Sequence, residues 1–256
     1  AKGFRMKVFC NPKMAVKTIS SSPSSYKPKL ATEAWMQLGL PIEVVSDFKP
    51  ASIEDMCLAH DPKYIEKLLA CEITNGFGNK SKSVARSLPW LAGALSAATV
   101  YSYETRKPSF VALSGSHHCG WDFNGGFCSM NHEIIAAQKA KAAGLKRCAV
   151  IDGDGHHGNG TVQIINKLSL DYIQHYSFAN SGTRPGESAK EWIQKFPEIV
   201  YGFEGADLII FCASADAYLL DDLGAGSLTT AQLALRDAIV FEIAKELQIG
   251  VTVLLG

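Results

Sequence analysis

The ten residues from Asp152 to Thr161, Asp-Gly-Asp-Gly-His-His-Gly-Asn-Gly-Thr, carry two carboxylates and two imidazoles at positions 152, 154, 156 and 157. They follow directly on the apolar run Cys148-Ala149-Val150-Ile151. A short apolar run closed by turn residues is a buried strand, so Asp154 and His156 emerge together in the loop at its carboxyl end. Alternation along extended backbone aims positions i and i+2 the same way, which makes this pair half of a divalent metal site in need of a third ligand. Asp216, beyond the apolar run Leu208-Ile209-Ile210-Phe211-Cys212, is the natural third. With two aspartates and one histidine, a zinc ion keeps an open position for water and substrate, the arrangement of a catalytic rather than a structural site. Such an ion acidifies water and polarises a carbonyl, and the chemistry then needs a proton shuttle. His117 and His118, adjacent after a strand expected at 109–113, can supply it, with Asp152 and Asn159 free to orient them. A carboxylate partner favours the charged form of one imidazole, whereas an amide partner orients the other without adding charge.

The elements that must position these groups are legible as an alternation. Strands are expected at 7–10, 43–45, 109–113, 148–151, 172–176, 208–212 and 251–255, and helices at 31–38, 62–69, 91–103, 132–143, 161–167 and 230–247. Strand and helix in alternation argue for an α/β fold, a three-layer α-β-α arrangement around a mostly parallel central sheet. Ligands bind such sheets beyond the carboxyl ends of the strands, and three polar clusters, at 114–118, 152–161 and 214–216, all follow apolar strands. The polar segment 181–196, with Gly182, Pro185 and Gly186, is expected to be a surface loop leading to a short helix. His60 is expected at the surface or at the start of a helix.

Composition limits the partners. The chain has 256 residues, with 25 basic and 25 acidic side chains, so no global field draws it to nucleic acid or to an anionic membrane. Its seven cysteines form an odd set without a C-x-x-C pair, and several lie in apolar runs, which suits free thiols in a reducing, cytoplasmic setting. No apolar segment has the length of a membrane span.

The motifs D-G-D-G-H-H-G-N-G-T at 152–161, G-S-H-H at 115–118 with G-G-F-C-S-M-N at 125–131, and A-S-A-D at 213–216 followed by D-L-G at 222–224 resemble, in this order, the histone deacetylase family. Weaker echoes lie upstream. The stretch Ser22-Pro-Ser-Ser-Tyr-Lys-Pro-Lys29 is similar to a degraded H-P-E-x-P-x-R segment, and His60-Asp-Pro-Lys-Tyr64 to an H-x-x-x-Y helix start. The resemblance implies an arginase/deacetylase-like fold, with Asp154, His156 and Asp216 as zinc ligands. It makes His118 the general base and acid, His117 an electrostatic partner paired with Asp152, and Asn159 the residue that orients His118. An asparagine at 159 is the pattern of class II and bacterial deacetylase-like amidohydrolases, where class I enzymes carry Asp. Gly126 through its carbonyl and Phe127 through its ring would line an acyl-lysine channel. A structural potassium ion (K+) is implied near Asp152, Asp154 and His156, with Ser177 contributing. The implied reaction is zinc (Zn2+)-assisted hydrolysis of an N-acetyl amide on a lysine-like amine, in a protein or a small polyamine, giving acetate and a free amine; an oligomer is compatible with it.

Two departures accompany the resemblance. The family's oxyanion tyrosine follows a glycine run after a late strand, and here Val251-Thr-Val-Leu-Leu-Gly256 stops at the first such glycine. The expectation is a single catalytic domain over 1–256 that lacks its C-terminal part, since a buried strand at the end would leave a sheet edge open. The path from Tyr176 to Asp207 is also short, which points to residues missing near 179–182. Other readings compete. Gly153-Asp-Gly155-His-His-Gly158 satisfies G-x-G-x-x-G, yet carboxylates and imidazoles between its glycines would crowd or repel a pyrophosphate. A di-manganese ureohydrolase shares the general fold but needs more carboxylates than this chain supplies. A non-catalytic module that keeps the pocket to bind acylated ligands or partner proteins is the rival from another class.

Overall fold

A continuous apolar strand pays off only when both faces of its sheet are covered, and the strands here are covered on both. In a computed structural model that describes residues 5–222 and 225–256, seven strands form one sheet: β1 (Met6–Phe9), β2 (Ile42–Val45), β3 (Ser109–Ala112), β4 (Cys148–Asp152), β5 (Ile173–Ser177), β6 (Leu208–Cys212) and β7 (Gly250–Leu255). Their order is β2-β1-β3-β7-β6-β4-β5, and every pairing is parallel. β7 sits between β3 and β6, so it leaves no open edge, contrary to the expectation from its place in the chain. All residues of β4 and β6 are buried.

Alternation then divides the core in two. Cys148, Val150, Leu208 and Ile210 face one side, where α4 (Lys82–Thr105), α5 (His132–Ala142) and α6 (Asn159–Leu168) pack. Ala149, Ile151, Ile209 and Phe211 face the other, against α7 (Glu187–Tyr201) and α8 (Thr230–Glu246). α1 (Lys27–Gln37) adds Trp35, whose ring meets Phe110 of β3 edge-on at 6.1 Å. Two short helices, α2 (Ile53–Met56) and α3 (Pro62–Leu69), complete the first layer. Among the described residues no helix is long and apolar enough to cross a membrane.

Two expectations give way. The expected surface loop is present at 182–186, but the helix it leads to is not short: α7 runs for 15 residues and buries Ala189, Trp192, Ile193, Phe196 and Val200. These recur at helical spacing, one face of an amphipathic helix whose polar majority masks the pattern. α4 also starts at Lys82, well before the expected 91, capped by the Ser81 hydroxyl.

Of the two expectations for His60, the structure bears out the helix start, since the residue immediately precedes the Asp61 cap of α3, and not the surface, since it has no solvent exposure. Its Nδ1 lies 2.9 Å from the Gly120 carbonyl, and its Nε2 accepts the Asn131 N–H at 2.9 Å. Both bonds require the neutral ring with its proton on Nδ1, and burial lowers the pKa to about 4. Asn131 in turn donates to the Cys119 carbonyl and to Thr161 Oγ1, while the Thr161 N–H donates to the His117 carbonyl. This buried network ties the loop after β3 to the starts of α5 and α6. Replacing His60 by Ala would leave a buried carbonyl and a buried amide without partners, so H60A is expected to lose roughly 2–5 kcal/mol of stability in urea unfolding.

Candidate functional site

Because all strands run the same way, the loops after β3, β4 and β6 open on one side of the sheet. They line a cavity of about 520 Å³ that includes His117, His118, Asp154, His156 and Asp216. Backbone donors hold the carboxylates. The Asp154 N–H donates to Asp152 Oδ1 at 3.1 Å, and the Gly155 N–H to Asp216 Oδ1 at 2.8 Å, joined there by the Ser214 hydroxyl at 2.9 Å. His156 Nδ1 then lies 3.1 Å from Asp154 Oδ1 and 2.7 Å from Asp216 Oδ2. One ligand atom from each of these three residues lies within 4.8 Å of the others, the one such group of three among the described residues.

Electrostatics in this cluster follow from crowding. The hydrogen bond from His156 to the Asp154 carboxylate, reinforced by Asp216, raises the His156 pKa to about 9 despite partial burial. Burial works to raise Asp154, but the His156 hydrogen bond and the charge on His117 outweigh it and hold the carboxyl below its ordinary range. Asp216 moves the other way, up to about 6, because burial and the neighbouring Asp154 carboxylate both oppose its charge.

The two adjacent histidines are set apart by their partners. His117 Nδ1 is 2.8 Å from Asp152 Oδ2, with Asp152 fully buried. Burial opposes a charged ring there, yet the Asp152 carboxylate overrides it and raises the pKa to about 10. His118 Nδ1 is 2.7 Å from Asn159 Oδ1, the first residue of α6. Burial, together with the charge on His117, lowers the His118 pKa against the opposing hydrogen bond to Asn159. The rings lie 4.1 Å apart, one favouring the cation and the other the neutral base.

Gly126 and Phe127 also border the cavity. A Cβ on Gly126 would come within 2.5 Å of His118 Cδ2, and its φ of +54° is a conformation L side chains rarely adopt, so only glycine permits this approach. Asp222 lines the cavity, whereas Leu223 and Gly224 of the D-L-G motif lie outside the described residues. His157 is exposed and stands outside the ligand cluster.

Two charged residues in the cavity escaped the sequence reasoning. Glu133 is fully buried: its Oε2 accepts from Thr161, and its Oε1 has no partner among the described residues. An acid in the first turn of a helix is commonplace, so nothing in the sequence marked it. Lys27 donates to the Gly256 carbonyl, and burial lowers its pKa. Its sole signal was its place in the degraded segment at 22–29.

Comparison with known proteins identifies the family. The histone deacetylase domain matches residues 24–191. A histone deacetylase-like amidohydrolase of Pseudomonas aeruginosa is 36% identical over 125 residues, 45% of this chain and 32% of that protein. An acetylpolyamine amidohydrolase of Mycoplana ramosa is 35% identical over 78 residues, 30% of this chain and 23% of that protein. The matches thus span a third or less of the length of these relatives. In fold, the crystal structure of the HDA15 HD domain superimposes with a TM-score of 0.79 at 18% identity, covering 99% of this chain and 84% of the other. The fold, the order of the motifs and the extent of the domain match make this chain a member of the histone deacetylase domain family.

Proposed function

We propose that this chain is a single catalytic domain that hydrolyses an N-acetyl amide on a lysine-like amine, with one zinc ion held by Asp154, His156 and Asp216. The observation that carries the proposal is the convergence of those three ligand atoms beside two histidines of opposite electrostatic character. Two carboxylate oxygens and one imidazole nitrogen are a donor set that suits zinc and leaves a position open. A single cluster among the described residues favours this over a two-manganese ureohydrolase. The names of the relatives, an acetylpolyamine amidohydrolase and a deacetylase-like amidohydrolase, support acylated amines as the substrate class.

When bound, zinc would supply a Lewis acid for the acyl carbonyl and lower the pKa of an attacking water. His118, neutral, takes the proton of that water at Nε2 and returns it to the leaving amine. Asn159 accepts the Nδ1 proton of His118 and so keeps Nε2 free for this task. His117, paired with Asp152, holds a fixed positive charge beside the developing negative one. The Phe127 ring and the Gly126 carbonyl flank the aliphatic stem of the substrate. The Ser177 hydroxyl is buried, lacks a partner among the described residues and pairs in register with Asp152, which supports a potassium ion held there by oxygen atoms. Free thiols at all seven cysteines suit a cytoplasmic setting.

Asp216→Ala is expected to abolish zinc binding and acetate release, and retention of both would remove it from the ligand set. His118→Ala is expected to keep the metal and slow turnover by roughly 100-fold or more; an unchanged rate would remove its role as base. A base acts unprotonated, so activity falls as pH drops through its pKa, which for His118 lies below the ordinary histidine value. Asn159→Asp would set a carboxylate against Nδ1 and favour the cation. The acid limb of kcat/KM is therefore expected to move up by about one to three pH units, measured on an acetylated-lysine peptide or an acetylpolyamine.

A further inference from the structure

Arg236 is the largest fully buried side chain of the described residues, with 2% of its surface exposed. It projects from α8 beneath the two loops that carry the proposed metal ligands. One nitrogen, Nη1, donates to the Gly153 carbonyl at 3.0 Å and to the Ser214 carbonyl at 3.1 Å. Gly153 lies between Asp152 and Asp154, and Ser214 two residues before Asp216. The guanidinium is held in turn by Asp237, which accepts from Nε at 2.8 Å, and by the Phe211 ring, 5.5 Å from Cζ. Gly153 is shaped to this contact: a Cβ there would lie 3.1 Å from Nη1 and 2.8 Å from the Cys212 carbonyl.

A buried cation is a costly way to fill core space, and an apolar side chain of similar volume packs as well or better. What a guanidinium does that a hydrocarbon cannot is donate from one planar NH2 group to two carbonyls at once and so fix their separation. The need for such a tie is local. Asp154 and Asp216 belong to different loops, carry like charges and must stay within reach of one ion. Besides Arg236, the loops are joined by the Gly153 N–H to the Cys212 carbonyl, by the Gly155 N–H to Asp216, and by the contact of His156 Nδ1 with Asp216 Oδ2.

We propose that Arg236 is a positioning residue for the metal centre, clamping the loop of Asp154 and His156 to the loop of Asp216. The proposal rests on the zinc reading above, and the test separates the two. Zinc affinity of the purified chain is measured by competition with a chromogenic chelator, alongside thermal unfolding of the metal-free protein. Arg236→Met, which keeps volume and removes the donors, is expected to weaken zinc binding by about 10- to 100-fold. Val240→Ala, a buried apolar change one turn further along the same helix that removes no donor to either loop, is expected to lower the unfolding temperature and leave zinc affinity unchanged. If the unsubstituted chain binds no zinc, the metal reading itself fails. If it binds zinc and R236M binds equally well, the clamp is overturned while the metal site stands. A loss of affinity in V240A matching that of R236M would also overturn it, by reducing the effect to general stability. Should R236M fail to fold, R236K carries the test: an affinity at least fivefold weaker supports the clamp, and one closer to that of the unsubstituted chain overturns it.

Discussion

Two carboxylates and an imidazole brought within 4.8 Å of one another do not stay there on their own account. Like charges repel, and burial penalises each of them. Much of the site can be understood as the means of holding them. The Gly155 amide and the Ser214 hydroxyl engage Asp216, the His156 amide engages Asp154, and Arg236 joins the backbones of both loops. The parallel sheet supplies the base for this arrangement, because neighbouring parallel strands end on the same side and their loops must converge. β6 pairs with β4 on one edge and β7 on the other, so the loops carrying Asp154 and Asp216 rise from adjacent strands.

The same surroundings divide labour between two histidines that are adjacent in sequence. Asp152 pairs with His117 from the end of β4, and Asn159 meets His118 from the start of α6. A full negative charge against one ring and a neutral amide against the other separate their proton affinities in opposite directions. Each charge also acts on its neighbour, since the cation favoured at His117 is one reason that His118 stays neutral. The His60, Asn131 and Thr161 network holds the loop bearing both rings through the carbonyls of His117, Cys119 and Gly120.

The alternation of strands and helices was legible because buried parallel strands are short apolar runs between turn residues. The exact extent of α3, Pro62–Leu69, was legible too, since Asp61 and Pro62 form a strong start signal. α7 was not, because five apolar residues in a helical stripe are diluted by the polar residues of its outer face. The place of His60 at a helix start was legible but its burial was not, because a histidine beside Asp61 and Pro62 looks exposed until the loop that covers it is in place.

The sequence by itself determined the chemistry on offer: which residues could bind a metal, which could move a proton, and that strand ends would present them together. These follow from residue type and short-range spacing, which a linear chain displays directly. Only the tertiary structure decided how those groups are tuned. That Lys27 reaches across to Gly256, that Glu133 enters the same cavity, and that Arg236 ties Gly153 to Ser214 rest on contacts between residues 22 to 229 positions apart. Their energies depend on burial and on distances of about 3 Å, quantities that exist only once the layers have packed.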